Sequence, residues 1–132
     1  MKKIIVTGGL GFIGSNLIDL LLEKNFYVIN LDKVTYSSNF YNTKEFNNNK
    51  KYKFIKCDIN NKKLKNIFIK YKPSCIFNLA AETHVDRSID DPKDFIQSNI
   101  VGVYNLLECF RNFSEKNKTK LIHISTDEVY GD

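Results

Sequence analysis

Short apolar runs alternate with longer amphipathic stretches along this chain, and the alternation predicts its fold. The runs are rich in Ile, Val and Phe, as strands buried on both faces of a parallel sheet are. They cover Lys3–Thr7, Val28–Asp32, Tyr52–Asp58, Cys75–Ala80 and Lys120–Ser125. Stretches of helical length lie between them, at Phe12–Lys24, Lys62–Tyr71 and Pro92–Phe113. The pattern predicts a doubly wound α/β domain with a parallel sheet in the strand order 3-2-1-4-5.

Apolar spacing within the helical stretches predicts which face each helix buries. In the first stretch the apolar positions are Ile13, Leu17, Leu20 and Leu21, and in the second they are Leu64, Ile67 and Phe68. The stretch from Lys33 to Lys51 has no such period. We expect it to form a surface loop or a short helix.

The chain carries a net charge of +5, which raises the question of a polyanionic partner. Ten lysines lie between Lys44 and Lys72 against only Glu45 and Asp58, so a local charge of +8 leaves −3 for the remainder. Nucleic-acid sites usually recruit arginine and interleaved aromatic residues, whereas this chain has 18 lysines and two arginines. The charge pattern therefore favours a solvated lysine face over a nucleic-acid site.

Length, hydropathy and cysteine spacing narrow the setting. The 132 residues suffice for one domain, and no apolar run reaches the roughly eighteen residues of a membrane span. Cys57, Cys75 and Cys109 stand far apart, without a C-x-x-C pair, so neither a metal site nor a set of disulfides is expected. A reducing cytoplasm is the simplest compartment for such a chain.

Three glycines follow the first predicted strand with the spacing G-x-x-G-x-x-G, at Gly8, Gly11 and Gly14. In this strand-to-helix context Gly8 permits a tight turn, Gly11 lets backbone amides approach a pyrophosphate, and Gly14 lets the helix pack against the sheet. The helix N-terminus adds N–H donors and partial positive charge. The motif predicts a dinucleotide-binding turn of the Rossmann type.

Two carboxylates end predicted strands on the same edge of the sheet. Asp32 lies 18 residues after Gly14, near the offset at which a carboxylate accepts from the adenosine ribose. Its negative charge would repel a 2′-phosphate, and Lys33 is the one adjacent positive charge that would oppose this repulsion. NAD is therefore expected rather than NADP. Alternatively, Asp32 could be a turn residue. Asp58, beside Ile59, is placed for the adenine edge, with a helix N-cap as its alternative.

Two further segments carry a resemblance to a known family. They read Asn-Leu-Ala-Ala-Glu-Thr-His-Val-Asp-Arg-Ser-Ile from Asn78 and His-Ile-Ser-Thr-Asp-Glu-Val-Tyr-Gly-Asp from His123. With the glycine spacing, they resemble the extended short-chain dehydrogenase/reductase superfamily, and within it the dTDP-glucose 4,6-dehydratase family of nucleotide-sugar dehydratases. The runs Asp32–Tyr36 and Phe95–Gly102 add to the match, which extends over residues 1–132 and is weakest from Asn39 to Lys51.

The resemblance implies an NAD-dependent lyase reaction of deoxysugar biosynthesis. NAD oxidises the sugar at C4, water leaves across C5 and C6, and the hydride returns to C6. It implies Asp127 as the acid for the C6 hydroxyl, Glu128 as the base at C5, and Thr126 and Thr83 as substrate contacts. From the residues alone, Ser125-x-x-Glu128 also fits a helix capping box.

The resemblance also implies a set of cofactor contacts. These are Phe12 and Ile13 at the pyrophosphate; Asp32, Lys33, Val34 and Thr35 around the ribose; Asp58 and Ile59 at adenine; and Leu79, Ala80, Ala81, Thr83 and Ser98 toward the nicotinamide. Leu79 and Ala80 could instead be plain core, and Ser98 could be a polar residue on a helix surface. His123, within a strand, is expected to be packed rather than catalytic.

One expected part of the family's machinery falls outside these residues. In the superfamily a Tyr-x-x-x-Lys pair, which removes the C4 hydroxyl proton, follows the Thr-Asp-Glu segment, and this chain ends at Asp132. We therefore expect residues 1–132 to be an incomplete NAD-binding domain, without the C-terminal substrate domain and inactive alone. The resemblance implies a homodimeric parent enzyme that pairs through the long helix Pro92–Phe113 and its neighbour. A nucleotide-sugar 4-epimerase and a non-catalytic NAD-binding module are the alternatives.

Overall fold

A computed structural model describes residues 1–34, 38–81, 89–126 and 129–131 of the chain. Five strands form one sheet: β1 (Lys3–Thr7), β2 (Tyr27–Asp32), β3 (Tyr52–Lys56), β4 (Cys75–Asn78) and β5 (Lys120–His123). All neighbouring strands are parallel, in the order β3-β2-β1-β4-β5. The predicted fold class and strand order are therefore confirmed.

Helices cover both faces of the sheet. They are α1 (Phe12–Glu23), α2 (Lys63–Tyr71), α3 (Lys93–Ile96) and α4 (Gly102–Ser114), with a short 3₁₀ helix at Phe40–Thr43. The predicted single helix at Pro92–Phe113 is interrupted by a π-helical turn, Gln97–Val101, between α3 and α4. Such turns widen a helix locally and often lie at functional sites.

Successive residues of β1 feed two separate cores, because side chains alternate across a strand. Ile5 packs with Phe68 of α2 and Leu106 of α4 on one face of the sheet. Ile4 and Val6 pack on the other face in a cluster with α1. Because both faces are covered, the apolar runs of the sequence read as nearly continuous rather than alternating.

The buried face of α1 differs from the prediction. Its buried residues are Gly14, Ser15, Ile18, Leu21 and Leu22, whereas Ile13 and Leu20 are 64% and 46% exposed. A β-carbon on Gly14 would lie 2.8 Å from the α-carbon of Gly9, so the helix meets the preceding turn at its glycine. That close contact places the glycine, rather than Ile13, toward the sheet. In α2 the predicted face of Leu64, Ile67 and Phe68 is buried as expected.

Strands β3, β4 and β5 each end two residues earlier than predicted, at Lys56, Asn78 and His123. The apolar character of the sequence continues past the end of regular pairing, into the loops at the carboxyl edge of the sheet. These loops form the walls of the site described below.

The two edges of the sheet differ in character. Edge strand β3 exposes Lys53 and Lys56, whereas edge strand β5 leaves Ile122 41% exposed. Of the ten lysines between Lys44 and Lys72, nine are exposed and Lys51 is half-buried. Within the described part of the chain, no helix combines the length and hydropathy that crossing a bilayer requires.

Candidate dinucleotide-binding site

The turn between β1 and α1 is built on glycine. Gly8 has a φ of +72°, and its N–H donates to the carbonyl of Leu31 at 2.8 Å. The N–H of Gly11 then donates to the carbonyl of Gly8 at 3.2 Å, and α1 begins at Phe12. The first-turn amides of α1 therefore face the carboxyl edge of the sheet, where a helix N-terminus favours an anion.

The space beside each glycine distinguishes a glycine that protein packing requires from one that leaves room for a ligand. A β-carbon on Gly8 would lie 2.8 Å from both the amide nitrogen of Ala80 and the carbonyl carbon of Leu79. On Gly11 it would meet only the carbonyl oxygen of Gly8, at an ordinary 3.4 Å. Protein packing thus requires glycine at Gly8, whereas the open space beside Gly11 fits the close approach of a pyrophosphate.

A fourth glycine, Gly9, was missed by the spacing argument. A β-carbon there would collide with the side-chain oxygen of Asn30 and with Ile18. Asn30 is fully buried; its Oδ1 accepts from the N–H of Gly9 at 3.0 Å, and its Nδ2 donates to the hydroxyl of Tyr52 at 3.0 Å. Burial raises the pKa of Tyr52, although its bond to Asn30 opposes the shift. Asn30 is a polar residue inside an apolar strand, and that feature of the sequence could have predicted its support of the glycine turn.

The glycine turn opens onto a cavity of about 430 Å³ at the carboxyl edge of the sheet. Most of the predicted contacts line it: Gly8, Gly11, Phe12, Ile13, Gly14, Asp32, Lys33, Asp58, Ile59, Leu79, Ala80, Ala81, Ser98 and Thr126. Val34 is described but does not line it. Thr35, Thr83, Asp127 and Glu128 lie outside the described residues. The structure adds Leu31, Ser38, Cys57, Ile124 and Ser125 to the lining.

Asp32 is buried at the floor of this cavity and is occupied by backbone and hydroxyl donors. Its Oδ2 accepts from the N–H of Leu10 at 3.0 Å, while Oδ1 accepts from the N–H of Val34 at 2.8 Å and from the hydroxyl of Ser38 at 3.0 Å. Asp32 therefore does act as a turn residue, which was the alternative that the sequence left open. Among the described residues three donors face this carboxylate, which has about four acceptor positions, so one position is left there for a ribose hydroxyl.

Asp58 and Ile59 lie in the loop after β3. The N-cap alternative for Asp58 is wrong, because α2 begins at Lys63 with Lys62 at its N-cap. Instead, Oδ1 of Asp58 accepts from the N–H of Asn60 at 2.9 Å in a local turn. Ile59 is buried, and Asn105 of α4 donates to its carbonyl. The loop is thus fastened to the helix beside it.

Ser98 lies in the π-helical turn, is only 5% exposed and lines the cavity. The alternative of a polar residue on the helix surface is therefore wrong. The ammonium of Lys33 donates to the hydroxyl of Ser98 at 2.6 Å. This contact directs Lys33 toward the helical wall of the cavity.

His123 ends β5 and is exposed, which contradicts the prediction that it is packed. The reason is that β5 is the edge strand of the sheet in the described structure. Its ring is nevertheless engaged: Nδ1 lies 3.0 Å from Nδ2 of Asn78, and Oδ1 of Asn78 accepts from the hydroxyl of Thr7 at 2.5 Å.

All three thiols of the chain are free. Cys57 is buried in the cavity wall at 4% exposure, and burial raises its thiol pKa. Burial likewise raises the pKa of Cys75 and of Cys109. The neutral thiol is therefore the form that the folded chain favours.

Comparison with known proteins places this architecture in one family. The family model described as GDP-mannose 4,6 dehydratase matches residues 5–132. The dTDP-glucose 4,6-dehydratase of Haemophilus influenzae is 49% identical over 142 residues, covering 100% of this chain and 41% of the relative. That of Escherichia coli is 48% identical over 138 residues, covering 98% and 38%. The chain spans about two fifths of the length of these relatives.

Solved structures agree with these sequence matches. A dTDP-glucose 4,6-dehydratase from Bacillus anthracis in complex with NAD is 36% identical, with a TM-score of 0.86, covering 100% of this chain and 40% of that one. A UDP-glucose 4-epimerase from Thermotoga maritima with UDP-glucose is 34% identical, with a TM-score of 0.81, covering 94% and 38%. The shared fold therefore spans both activities.

Proposed function

This chain belongs to the GDP-mannose 4,6 dehydratase family, and from that premise we propose that it is the dinucleotide-binding part of an NAD-dependent dTDP-glucose 4,6-dehydratase. One observation carries the proposal. The glycine turn, Asp32, Asp58 and Thr126 come from the ends of separate strands yet line one cavity. Ligands of open α/β sheets bind at this edge.

NAD is favoured over NADP by the charges at the floor of the cavity. The buried carboxylate of Asp32 would face a 2′-phosphate with repulsion and a ribose hydroxyl with attraction. Lys33, the nearest basic residue in sequence, is engaged by Ser98. A solved relative from Bacillus anthracis holds NAD, which supports the same choice here.

The proposed reaction depends on the order of its steps. NAD held by the residues that line the cavity would supply the hydride acceptor for C4 of the sugar and the hydride returned to C6. The resulting C4 ketone makes the C5 proton acidic enough for a carboxylate to remove, which the unoxidised sugar would not allow. We assign that removal to Glu128 and protonation of the departing C6 hydroxyl to Asp127, since two carboxyl groups in different environments can hold opposite protonation states.

Thr126 ends the described wall next to these two residues and lines the cavity. We assign it, together with Thr83, to the hydroxyls of the sugar. The names of the relatives support dTDP as the nucleotide of the substrate.

The elimination step has a direct test in the longer enzyme that carries residues 1–132. Glu128→Gln should still form NADH from the sugar but should lose solvent-deuterium exchange at C5. Unchanged turnover would contradict the assignment and favour the capping-box interpretation of Ser125 and Glu128. Asp19→Asn, at an exposed carboxylate on α1, is the matched control.

A 4-epimerase is the second candidate, because an epimerase structure matches the fold with a TM-score of 0.81. Such an enzyme shares the oxidation at C4 but eliminates no water, so the adjacent pair Asp127 and Glu128 favours the dehydratase. A non-catalytic NAD-binding module is the third. Product analysis separates them: the dehydratase yields a 4-keto-6-deoxy sugar, the epimerase a C4 epimer and the module neither.

The exposed apolar residues of the long helical segment support a homodimeric parent enzyme. Ile96, Ile100, Tyr104 and Leu107 recur at intervals of three and four residues and are exposed. Such spacing forms a stripe along one side of a helix.

Three free thiols support a reducing compartment, for which we propose the cytoplasm.

A further inference from the structure

Three polar residues end neighbouring strands at the same level of the sheet. Thr7 of β1 is paired in register with Asn78 of β4, which is paired with His123 of β5. Thr7 and Asn78 are buried, so their polar groups must be satisfied within the protein. The three side chains form one line of hydrogen bonds across the strands.

The direction of these bonds follows from the hydroxyl of Thr7. Its oxygen accepts from the N–H of Ala80 at 3.1 Å and from the N–H of Leu79 at 3.2 Å, and the Leu79 N–H is shared with the backbone carbonyl of Thr7 at 3.1 Å. Two donors therefore face this oxygen, and the hydroxyl hydrogen is left for Oδ1 of Asn78 at 2.5 Å. A flipped Asn78 amide would present a third donor to the oxygen and would leave the hydroxyl hydrogen without this acceptor.

The orientation of Asn78 in turn decides the state of the histidine ring. With Oδ1 facing Thr7, Nδ2 faces Nδ1 of His123 at 3.0 Å, and Nδ2 can only donate. Nδ1 must then accept and cannot carry a hydrogen. We propose that His123 is a positioning residue whose neutral ring carries its hydrogen on Nε2, because Thr7 and Asn78 fix Nδ1 as the acceptor.

The line of hydrogen bonds has a catalytic consequence, which rests on the proposed function. The glycine turn leaves from Thr7, the Leu79–Ala81 wall leaves from Asn78, and the wall with Thr126 leaves from His123. The backbone N–H of Ile124 also donates to the carbonyl of Asn78 at 3.0 Å. The acceptor on His123 thus adds a side-chain bond that keeps the substrate wall in register with the cofactor wall.

The tautomer can be measured directly on the 132-residue chain. Nitrogen-15 spectra of the histidine rings distinguish a hydrogen on Nδ1 from one on Nε2, and His123→Asn identifies the signal against that of His84. We expect the Nε2–H form in mildly alkaline solution. A ring with its hydrogen on Nδ1 would overturn the proposal, whether or not the chain binds NAD.

Two substitutions test the cause of the tautomer. In Asn78→Asp the carboxylate has no hydrogen to donate, so the hydrogen should move to Nδ1 of His123. In Thr7→Val the amide of Asn78 is released and a mixture of tautomers should appear, whereas Thr7→Ser should retain the Nε2–H form. If Asn78→Asp does not fold, comparison of Thr7→Val with Thr7→Ser tests the cause of the tautomer. An unchanged Nε2–H population in Thr7→Val would overturn the proposed cause.

The positioning role has its own comparison in the longer enzyme. The side-chain oxygen of His123→Asn can replace Nδ1 as the acceptor, whereas His123→Leu cannot. We expect His123→Leu to lower kcat by roughly five- to tenfold, because a buried donor is left unpaired, and His123→Asn to restore most of the loss. Equal losses in both variants would contradict positioning through Asn78. A correct tautomer in a chain without NAD affinity would instead count against the proposed function.

Discussion

The N–H of Leu10 donates to Oδ2 of Asp32 across 3.0 Å, so the end of β2 holds the glycine turn that follows β1. The other carboxylate oxygen holds the loop after β2, through the N–H of Val34 and the hydroxyl of Ser38. One side chain therefore organises two loops around the cavity and also presents charge to its floor.

Replacement of Asp32 should reveal both roles. We expect Asp32→Ala to weaken NAD binding and to reduce the preference for NAD over NADP. It should also lower the free energy of unfolding by about 1–3 kcal/mol, because buried donors lose their acceptor. Titration with both dinucleotides and urea unfolding measure these changes. Glu23→Ala, at an exposed carboxylate ending α1, should change none of them. Tighter binding of NADP than NAD by the wild-type chain would contradict the role of Asp32.

Two glycines of one turn should respond differently to the same substitution. Gly8→Ala forces a β-carbon to 2.8 Å from the backbone of Leu79 and Ala80 at a positive φ, and should lower stability by about 1–3 kcal/mol. Gly11→Ala meets only ordinary contact and should leave stability nearly unchanged while weakening NAD binding. Urea unfolding combined with NAD titration separates the two effects. Equal stability losses would contradict the assignment of the space beside Gly11 to a ligand.

The exposed edge strand β5 should make residues 1–132 self-associate. In the part of the chain that the structure describes, the outer backbone edge of β5 is unpaired and the side chain of Ile122 is exposed. Both features invite edge-to-edge pairing, which lysines oppose on β3. Ile122→Lys should shift the sedimentation profile toward monomer. Ile69→Lys, at a similarly exposed apolar residue on α2, should not. Identical profiles for the two variants would indicate that association does not run through this edge.

The buried thiol of Cys57 should report on the cavity. Its pKa is raised by burial, so the reactive thiolate should form only as the pH rises above the ordinary thiol range, near pH 8.5. Alkylation of Cys57 should therefore be slow at neutral pH and accelerate in alkaline solution. Bound NAD should slow it further, because Cys57 lines the cavity. Cys75, which does not line it, serves as the internal control; equal protection of both thiols would count against binding there.

The raised thiol pKa values should also contribute to a loss of stability in alkaline solution. The folded state disfavours each thiolate, so the stability contribution is complete below the pKa of the unfolded thiol, about 8.5, and is lost as the pH rises toward the folded value. Urea unfolding across this range should show a decline in the wild-type chain. The decline should be smaller in Cys57→Ala when each variant is compared with its own value at neutral pH.

The sequence was sufficient for the strand order and for the outline of the cavity. Buried apolar runs, the glycine spacing and the residues after each strand all follow from local chemistry. The face of α1 was not predictable from its apolar residues, because it is decided by the close contact of Gly14 with the turn. The ends of β3, β4 and β5 were misplaced for a related reason: Cys57, Leu79 and Ile124 lie past the last residues of these strands and line the cavity, so their apolar character extends the runs beyond the strands.

Long-range polar contacts were the other limit. Nothing local to Ser98 indicates that a π-helical turn brings it to Lys33, and nothing local to His123 indicates its bond to Asn78. Such partners are 65 and 45 residues apart in sequence and are joined only by the topology of the sheet.

The cavity beside the glycine turn should bind NAD, and a nitrogen-15 NMR titration of residues 1–132 with NAD tests this most directly. We expect saturable shifts of the backbone amides of Gly8, Gly11, Asp32 and Asp58, with weak affinity. The amides of Asp19 and Glu45, which line a separate groove between α1 and the loop after the 3₁₀ helix, should remain unchanged. Shifts confined to that groove, or none at saturating millimolar NAD, would contradict it.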